Sequence, residues 1–362
     1  MEEQSVTGEP IPISLYFPLE STRSIRLLEL QNNGEDHTIE CKMITGELTD
    51  GLFPPYTALS YTWGTMERTC PILINGLHCN ITSDLFEAMK AIREMQQSHD
   101  DMSGYWWIDM LCINQNDLSE RGHQVGMMRD IFQKATLVVA WLGPDYNDSS
   151  VAMEDYRGQL RSLRNSDYEW EDDQRYFDLQ LNFRRFLSRP YWSRVWIIQE
   201  LCVAQRILLA CGKRTVPWEI FQAEAQGDPE RSAHPTLMEL RTKLQSSKMS
   251  LGSLLTFSAQ SLSTDLRDRV FGLLGMATGD SIGGIVPDYT MSPCRVFCCA
   301  IRAILHRLLS RHVTAVEETR IGDAIKKCLH NPESKDDSSR AYCDGVECNV
   351  WWCCLEVALF DS

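Results

Sequence analysis

The sequence predicts an α/β protein: a central, mostly parallel sheet flanked by helices, with an N-terminal β-hairpin extension and a mainly helical C-terminal region. Three observations carry this expectation. Residues 105–142 alternate strand, helix, strand, and a unit of that length joins parallel strands through a right-handed crossover. Short β-like runs punctuated by turn residues occupy residues 24–81. Beyond residue 211 the apolar periodicity is mainly helical. At roughly 100–200 residues per domain, the 362-residue chain has room for two domains, or one with a substantial extension.

The elements follow in order. Ser24 to Leu30 and Thr38 to Ile44 are β-like runs separated by Asn32-Asn33-Gly34, a turn former, and read as a small hairpin. Tyr56 to Gly64, rich in β-branched and aromatic residues and stopped by the glycine, reads as a strand and its exit loop. Asn75-Gly76 between Pro71–Ile74 and Leu77–Ile81 is a strong hairpin signal. Thr82 or Ser83 caps the next helix, on which Leu85, Ala88, Met89, Ile92 and Met95 share a face. Tyr105 to Leu111 reads as a strand covered on both sides, interrupted only by Asp109. Leu118, Val125, Met128, Ile131, Phe132 and Ala135 mark the inner face of a helix, and Thr136 to Leu142 a buried strand stopped by Gly143-Pro144. From Asp145 to Ser188 the pattern is helical around an acidic patch with six acids and one arginine between Asp167 and Asp178, expected as a solvated insertion or loop. Arg189 to Ser193 breaks the helix and Val195 to Leu201 opens another. Gln205 to Cys211 is a strand; helices follow around Leu237–Leu244 and Leu251–Ala259, and Asp268 stands near the positive end of a helix in Asp265 to Met276. After about Pro293 the text is Arg- and Cys-rich without clear boundaries.

Composition narrows the function classes. Thirty-five Lys and Arg against 50 Asp and Glu leave a net charge of −15, which disfavours non-specific nucleic-acid binding. With 43% hydrophobic and 23% charged residues the chain is expected to be a soluble globular protein, and no apolar run approaches the roughly 18 residues of a membrane span. The N-terminus is acidic and lacks a signal-peptide pattern, so the 14 cysteines read as reduced, mostly structural thiols in a cytosolic or nuclear protein, with a cytoplasmic location expected. No phosphate-binding glycine loop is present. Gly279 to Gly284 reads as a surface loop. Cys294, Cys298, Cys299, Cys343, Cys348, Cys353 and Cys354, with His306 and His312, lack the paired Cys-x2-Cys spacing of a zinc site, so no metal is expected.

What remains is polar residues at the ends of apolar elements. Ser60, Tyr61, Trp63 and Gly64 follow one strand; Asp109 lies late in another, ahead of Asn114, Gln115 and Asn116. Ligands of open α/β sheets bind beyond such strand ends. In the third cluster, Tyr191 to Leu201, Glu200 lies four residues after Trp196, on the same helix face, among Ile197, Ile198, Leu201 and Val203. A carboxylate in apolar surroundings is paired, protonated or functional; an ion pair with Arg194 or another arginine and a functional role both remain open.

These three blocks resemble the HET domain, the heterokaryon incompatibility module of filamentous fungi: YTALSYTWG (56–64), the stretch from Trp107 to Gly143, and RPYWSRVWIIQE (189–200), in that order. The later STDLRDRVFGLLGMA and VPDYTMS resemble sequence that often follows the domain, and the N-terminal hairpin resembles its usual lead-in. The resemblance implies a β extension over residues 1–55, the domain over 56–210, and a mainly helical region over 211–362, ill-defined after about 300. It also implies a fungal non-self recognition protein whose domain triggers growth arrest and cell death, and a chain that ends where many relatives continue, as a truncated or mis-spliced C-terminus would.

The order of elements and Trp-x3-Glu-Leu is further similar to TIR domains, which implies a TIR-like sheet and NAD as a possible substrate, with no bound cofactor; Ile197 stands where a Cys commonly follows the Trp. In that reading Glu200 is catalytic, stabilising an oxocarbenium-like state or holding the ribose hydroxyls. Trp63, Trp192 or Trp196 stacks on a flat ring, Arg189 or Arg194 neutralises the pyrophosphate, Asp109, Asn114 and Gln115 position the ribose or adenine side, and Ser60, Tyr61 and Gly64 line the cleft. The rival expectation is a non-catalytic module that self-associates or recruits partners, or an inactive truncated relative. No sequence feature names the activating partner.

Overall fold

Hairpin connections and helical crossovers demand opposite strand pairings, and this chain contains both. In the computed structural model, which describes residues 11–31, 38–49, 54–97, 99, 102, 104–146, 153, 181, 184–227, 235–279, 282–311, 342–343 and 346–347, nine strands form one sheet. They are β1 (Ser24–Gln31), β2 (Glu40–Glu47), β3 (Tyr56–Tyr61), β4 (Arg68–Ile74), β5 (Leu77–Thr82), β6 (Tyr105–Trp107), β7 (Leu137–Trp141), β8 (Ile207–Cys211) and β9 (Arg214–Pro217). Their order is β5-β4-β2-β1-β6-β3-β7-β8-β9.

The sheet is mixed, which corrects the expectation of a mostly parallel one: four of its eight neighbouring pairs are parallel and four antiparallel. The parallel character is concentrated in the middle, where β6, β3, β7 and β8 run the same way. All residues of β3, β7 and β8 are buried, as strands covered on both faces must be. The short links of β1–β2, β4–β5 and β8–β9 permit only antiparallel pairing. In the β4–β5 turn Asn75 and Gly76 have φ of 52° and 78°, the left-handed values a type I′ turn needs. The Asn32-Asn33-Gly34 turn lies outside the described residues, as do the acidic stretch 167–178 and all but two short strand pieces after residue 311.

Helices among the described residues include α1 (Ser83–Gln96), α2 (Asp109–Cys112), α3 (Leu118–Lys134), α4 (Trp196–Cys202), α5 (Trp218–Gly227), α6 (Pro235–Ser246), α7 (Leu251–Phe257), α8 (Asp268–Leu274) and α9 (Pro293–Arg311). Thr82 caps α1 by accepting from the Leu85 N–H at 3.4 Å, and the buried face predicted for this helix packs on β4 and β5. A two-stranded pair, β10 (Tyr342–Cys343) with β11 (Val346–Glu347), stands apart from the sheet.

Several local readings change. The strand expected over Tyr105 to Leu111 ends at Trp107, and Asp109 opens α2. Its Oδ1 accepts from the Met110 N–H at 2.7 Å, a local bond that competes with strand pairing and suits a helix start. Leu118, placed on the inner face of α3, is 44% exposed. It is the first residue of the helix, beside Asp117, whose Oδ1 accepts from the Ser119 and Glu120 N–H groups at 2.9 and 3.1 Å. The strand β9 and the long helix α9 were not legible as elements; α9 buries Cys294, Val296, Phe297, Ala300, Ala303 and Ile304.

The N-terminal extension belongs to the sheet itself, since β1 pairs with β6 as well as with β2. Arg26 on β1 is buried and donates to the carbonyls of Cys112 at 3.1 Å and Phe17 at 2.7 Å. A buried guanidinium needs such acceptors. Among the described residues, Cys41, Cys79, Cys112, Cys202 and Cys211 are buried free thiols, and burial pushes Cys41, Cys112 and Cys202 up to about 12. Cys294 is disulfide-bonded, an exception to the reading of reduced cysteines. No described helix is long and apolar enough to cross a membrane.

By contact the chain divides into two compact units that interleave in sequence. The first takes Met1–Asn114, Ile131–Trp192 and Ala204–Met238, and so holds the whole nine-stranded sheet. The second takes Gln115–Asp130, Ser193–Val203 and Glu239–Ser362.

Candidate functional site

The residues singled out in the sequence fall into both units. Ser60, Tyr61, Trp63, Gly64, Asp109, Asn114, Arg189 and Trp192 are in the first; Gln115, Arg194, Trp196 and Glu200 are in the second.

In the first unit β3 and β6 are parallel neighbours, so the loops after them emerge at the same sheet edge. There the structure joins two of the predicted residues: the Trp63 Nε1–H donates to Asp109 Oδ2 at 2.8 Å. Gly64 has φ of +66°, and a Cβ on it would fall 2.1 Å from Asp84 Oδ2. The Asp84 carboxyl therefore lies directly against this glycine, and partial burial pushes its pKa up. Ser60 and Tyr61 are buried at the end of β3, and the Ser60 hydroxyl shares a 2.7 Å hydrogen bond with that of Tyr191. Asn114 is half-buried between α2 and α3.

Arg189 is buried and fully engaged with the loop after β7. It donates to the carbonyls of Leu142 at 2.9 Å, Pro144 at 3.0 Å and Tyr146 at 3.2 Å, and its guanidinium carbon sits 4.0 Å from the centre of the Tyr146 ring. Trp192 is buried, donates to the Phe186 carbonyl at 3.1 Å and stacks on Phe221 with centroids 5.4 Å apart. These bonds hold the 3-10 turn Pro190–Ser193 that precedes α4.

In the second unit α4 carries Trp196 and Glu200 one turn apart. Glu200 is buried, its side chain 3% exposed, and Arg194 Nη1 approaches Glu200 Oε2 to 3.7 Å. At that distance the contact is an ion pair and not a hydrogen bond. Trp196 Nε1–H donates to Asp268 Oδ2 at 3.1 Å, and the Tyr289 hydroxyl donates to Asp268 Oδ1 at 2.7 Å. Burial pushes the Asp268 carboxyl up to about 6. Beside it, burial would raise Asp265 too, but hydrogen bonds from Arg267 and the charges of Arg267 and Arg121 hold it below the usual carboxylate range. Gln115 is half-buried ahead of α3. Among the described residues no group of three His, Cys, Asp or Glu side chains converges to hold a metal ion.

Residues 56–200 match the family model described as heterokaryon incompatibility protein (HET). Over this stretch the chain is similar to the HET family. It is 27% identical over 324 residues to "Heterokaryon incompatibility protein 6, OR allele" of Neurospora crassa, a match covering 70% of this chain and 48% of that protein. The chain thus spans about half the length of the curated relative it matches. No solved structure matches it.

The HET match begins at the first residue of β3 and ends at Glu200 on α4. Within it, sequence reasoning missed Asp84 as the neighbour of Gly64 after β3 and the Tyr191 hydroxyl as the partner of Ser60 at the end of β3. No spacing rule connects residues so far apart in the chain. Beyond the HET match it missed that Asp268 and Tyr289 converge on Trp196, although Asp268 stood out as a carboxylate at a helix start beside Val270 and Phe271.

Proposed function

We propose that this chain is an effector of fungal non-self recognition whose HET domain triggers growth arrest and cell death. The observation that carries the reading is the family match over residues 56–200, which takes in all three sequence blocks. The related incompatibility protein of Neurospora supports it. Activation by self-association or by a partner is part of the proposal, as is action in the cytoplasm.

For the chemistry we propose a TIR-like cleavage of NAD. Support comes from the four parallel central strands and from Glu200, a buried carboxylate one turn after Trp196. In such a reaction the nicotinamide–ribose bond breaks, its electron pair leaves with the pyridine nitrogen, and a carboxylate stabilises the ribose cation until water adds. One observation favours a second reading, a signalling module without catalysis: Arg194 lies 3.7 Å from the carboxylate in question, as a structural ion pair would.

Expression of the full chain and of Glu200→Gln in a filamentous fungus separates the two. Catalysis requires that the wild-type chain arrest growth while cellular NAD falls, and that a folded Glu200→Gln chain do neither. Arrest by both chains with NAD unchanged establishes the signalling module instead, and a wild-type chain without effect on growth removes the effector reading.

A further inference from the structure

We propose that Asp268, outside the family match, is a positioning residue of the HET module: through it, residues 265–274 and 285–291 hold Trp196, and with it the helix that carries Glu200, in place. The inference rests on the effector reading above and specifies which residues beyond the match that activity needs.

The Asp268 side chain, itself buried, has two partners from separate segments, the half-buried Trp196 and the buried Tyr289. Its Oδ2 receives the Trp196 Nε1–H at 3.1 Å and its Oδ1 the Tyr289 hydroxyl at 2.7 Å. Trp196 lies on α4 and Tyr289 on the strap 285–291, so one carboxylate joins both to the start of α8. The strap is in turn fixed to α3. The Arg121 guanidinium carbon lies 3.7 Å above the centre of the Tyr289 ring, and the Pro287 carbonyl oxygen is so close to Gly122 that a Cβ there would stand 2.6 Å from it. Arg267 completes the attachment by donating to the carbonyls of Tyr289 and, at 2.9 Å, Met291. Backbone pairing runs parallel to these contacts: the Val195 N–H donates to the Leu262 carbonyl at 2.9 Å.

The second and third sequence blocks are thus both held by residues C-terminal to the match. An apolar residue would fill the place of Asp268 at lower desolvation cost, yet it would leave the indole N–H and the phenol hydroxyl without their acceptor. A carboxylate that accepts from both fixes the rotamer of Trp196. The charged and titratable groups around it are Asp265 and Arg267 on its own segment, Tyr289 on the strap and Arg121 on α3. Trp196, from α4, is uncharged.

The test uses the full chain labelled with 6-fluorotryptophan, the Trp196 resonance being assigned through Trp196→Phe. Positioning requires that this resonance titrate with the ionisation of Asp268 and that the titration vanish in Asp268→Asn. In the growth assay Asp268→Leu, shown folded by circular dichroism, loses arrest at least tenfold by surviving colonies, while Asp268→Asn, which keeps an acceptor, retains most of it. A folded Asp268→Leu chain that arrests growth like wild type overturns the inference, as does a Trp196 resonance that titrates unchanged in Asp268→Asn. A wild-type chain that leaves growth unaffected overturns the effector reading alone, and the fluorine spectrum then decides whether Asp268 positions Trp196.

Discussion

Gly64 and Asp268 show how single residues carry constraints from opposite causes. At Gly64 the constraint is steric and conformational: φ of +66° disfavours any side chain, and the carboxyl of Asp84 occupies the place of a Cβ. Left-handed backbone costs an L-residue about 1–2 kcal/mol, and the displacement of Asp84 adds to it. Gly64→Ala is therefore expected to lower unfolding stability by roughly 2 kcal/mol or more, read from the urea midpoint at constant m-value. At Asp268 the constraint is electrostatic. Burial raises its carboxyl from 3.8 to about 6, so between these values the folded state holds a proton that the unfolded state has released. Its contribution to stability is full below about pH 4 and is lost as pH rises through about 6, a change on the order of 3 kcal/mol. Asp268→Asn removes this titration. Denaturation at pH 4 and pH 7 should show the variant gaining on wild type as pH rises, and a constant difference would show that Asp268 does not titrate in this window.

At the scale of elements, α3 offers a comparison within one helix. A glycine in a helix interior ordinarily costs about 1 kcal/mol relative to alanine, so Gly→Ala should stabilise. At Gly122 the sign reverses, because the Cβ would stand 2.6 Å from the Pro287 carbonyl oxygen and the strap must move. At Gly126 the nearest strap atom is 3.7 Å away, an ordinary contact. Thermal unfolding should find Gly122→Ala less stable than wild type and Gly126→Ala unchanged or slightly more stable. Equal effects at both positions would mean that the strap does not press on Gly122. The elements themselves were legible where local chemistry decides them. Asn75-Gly76 specified its turn, Thr82 its cap, and the apolar spacing from Leu85 to Met95 its helix face. Asp109 was misplaced because its side chain bonds the next backbone N–H, which ended β6 early. Helix α9 was obscured by cysteines and arginines, whose spacing hid the row from Val296 to Ile304.

At the scale of the whole molecule, the two compact units interleave along the chain. A chain ending at residue 238 would retain all nine strands, but the second unit would keep only 115–130 and 193–203. Two short segments cannot bury a core of their own. Such a chain contains the entire HET match, yet α4 and the first part of α3 are expected to lose their order. Hydrogen exchange on the truncated chain should show residues 196–202 losing protection. Retained protection there would show that α4 does not depend on the chain beyond residue 238. The net charge of −15 belongs to this scale too, bearing on partners and not on any local pairing.

By itself the sequence determined the α/β class, the hairpins, the principal helices and the three blocks that resemble the HET domain. These depend on near neighbours in the chain: turn residues, caps, periodicity and motif order. Only the tertiary structure decided that the sheet is mixed, that Arg194 stands beside Glu200 at ion-pair distance, that Trp63 bonds Asp109, and that Asp268 receives both Trp196 and Tyr289. Strand order and side-chain convergence are set by contacts between residues tens of positions apart, and such contacts leave no periodic trace in a single sequence.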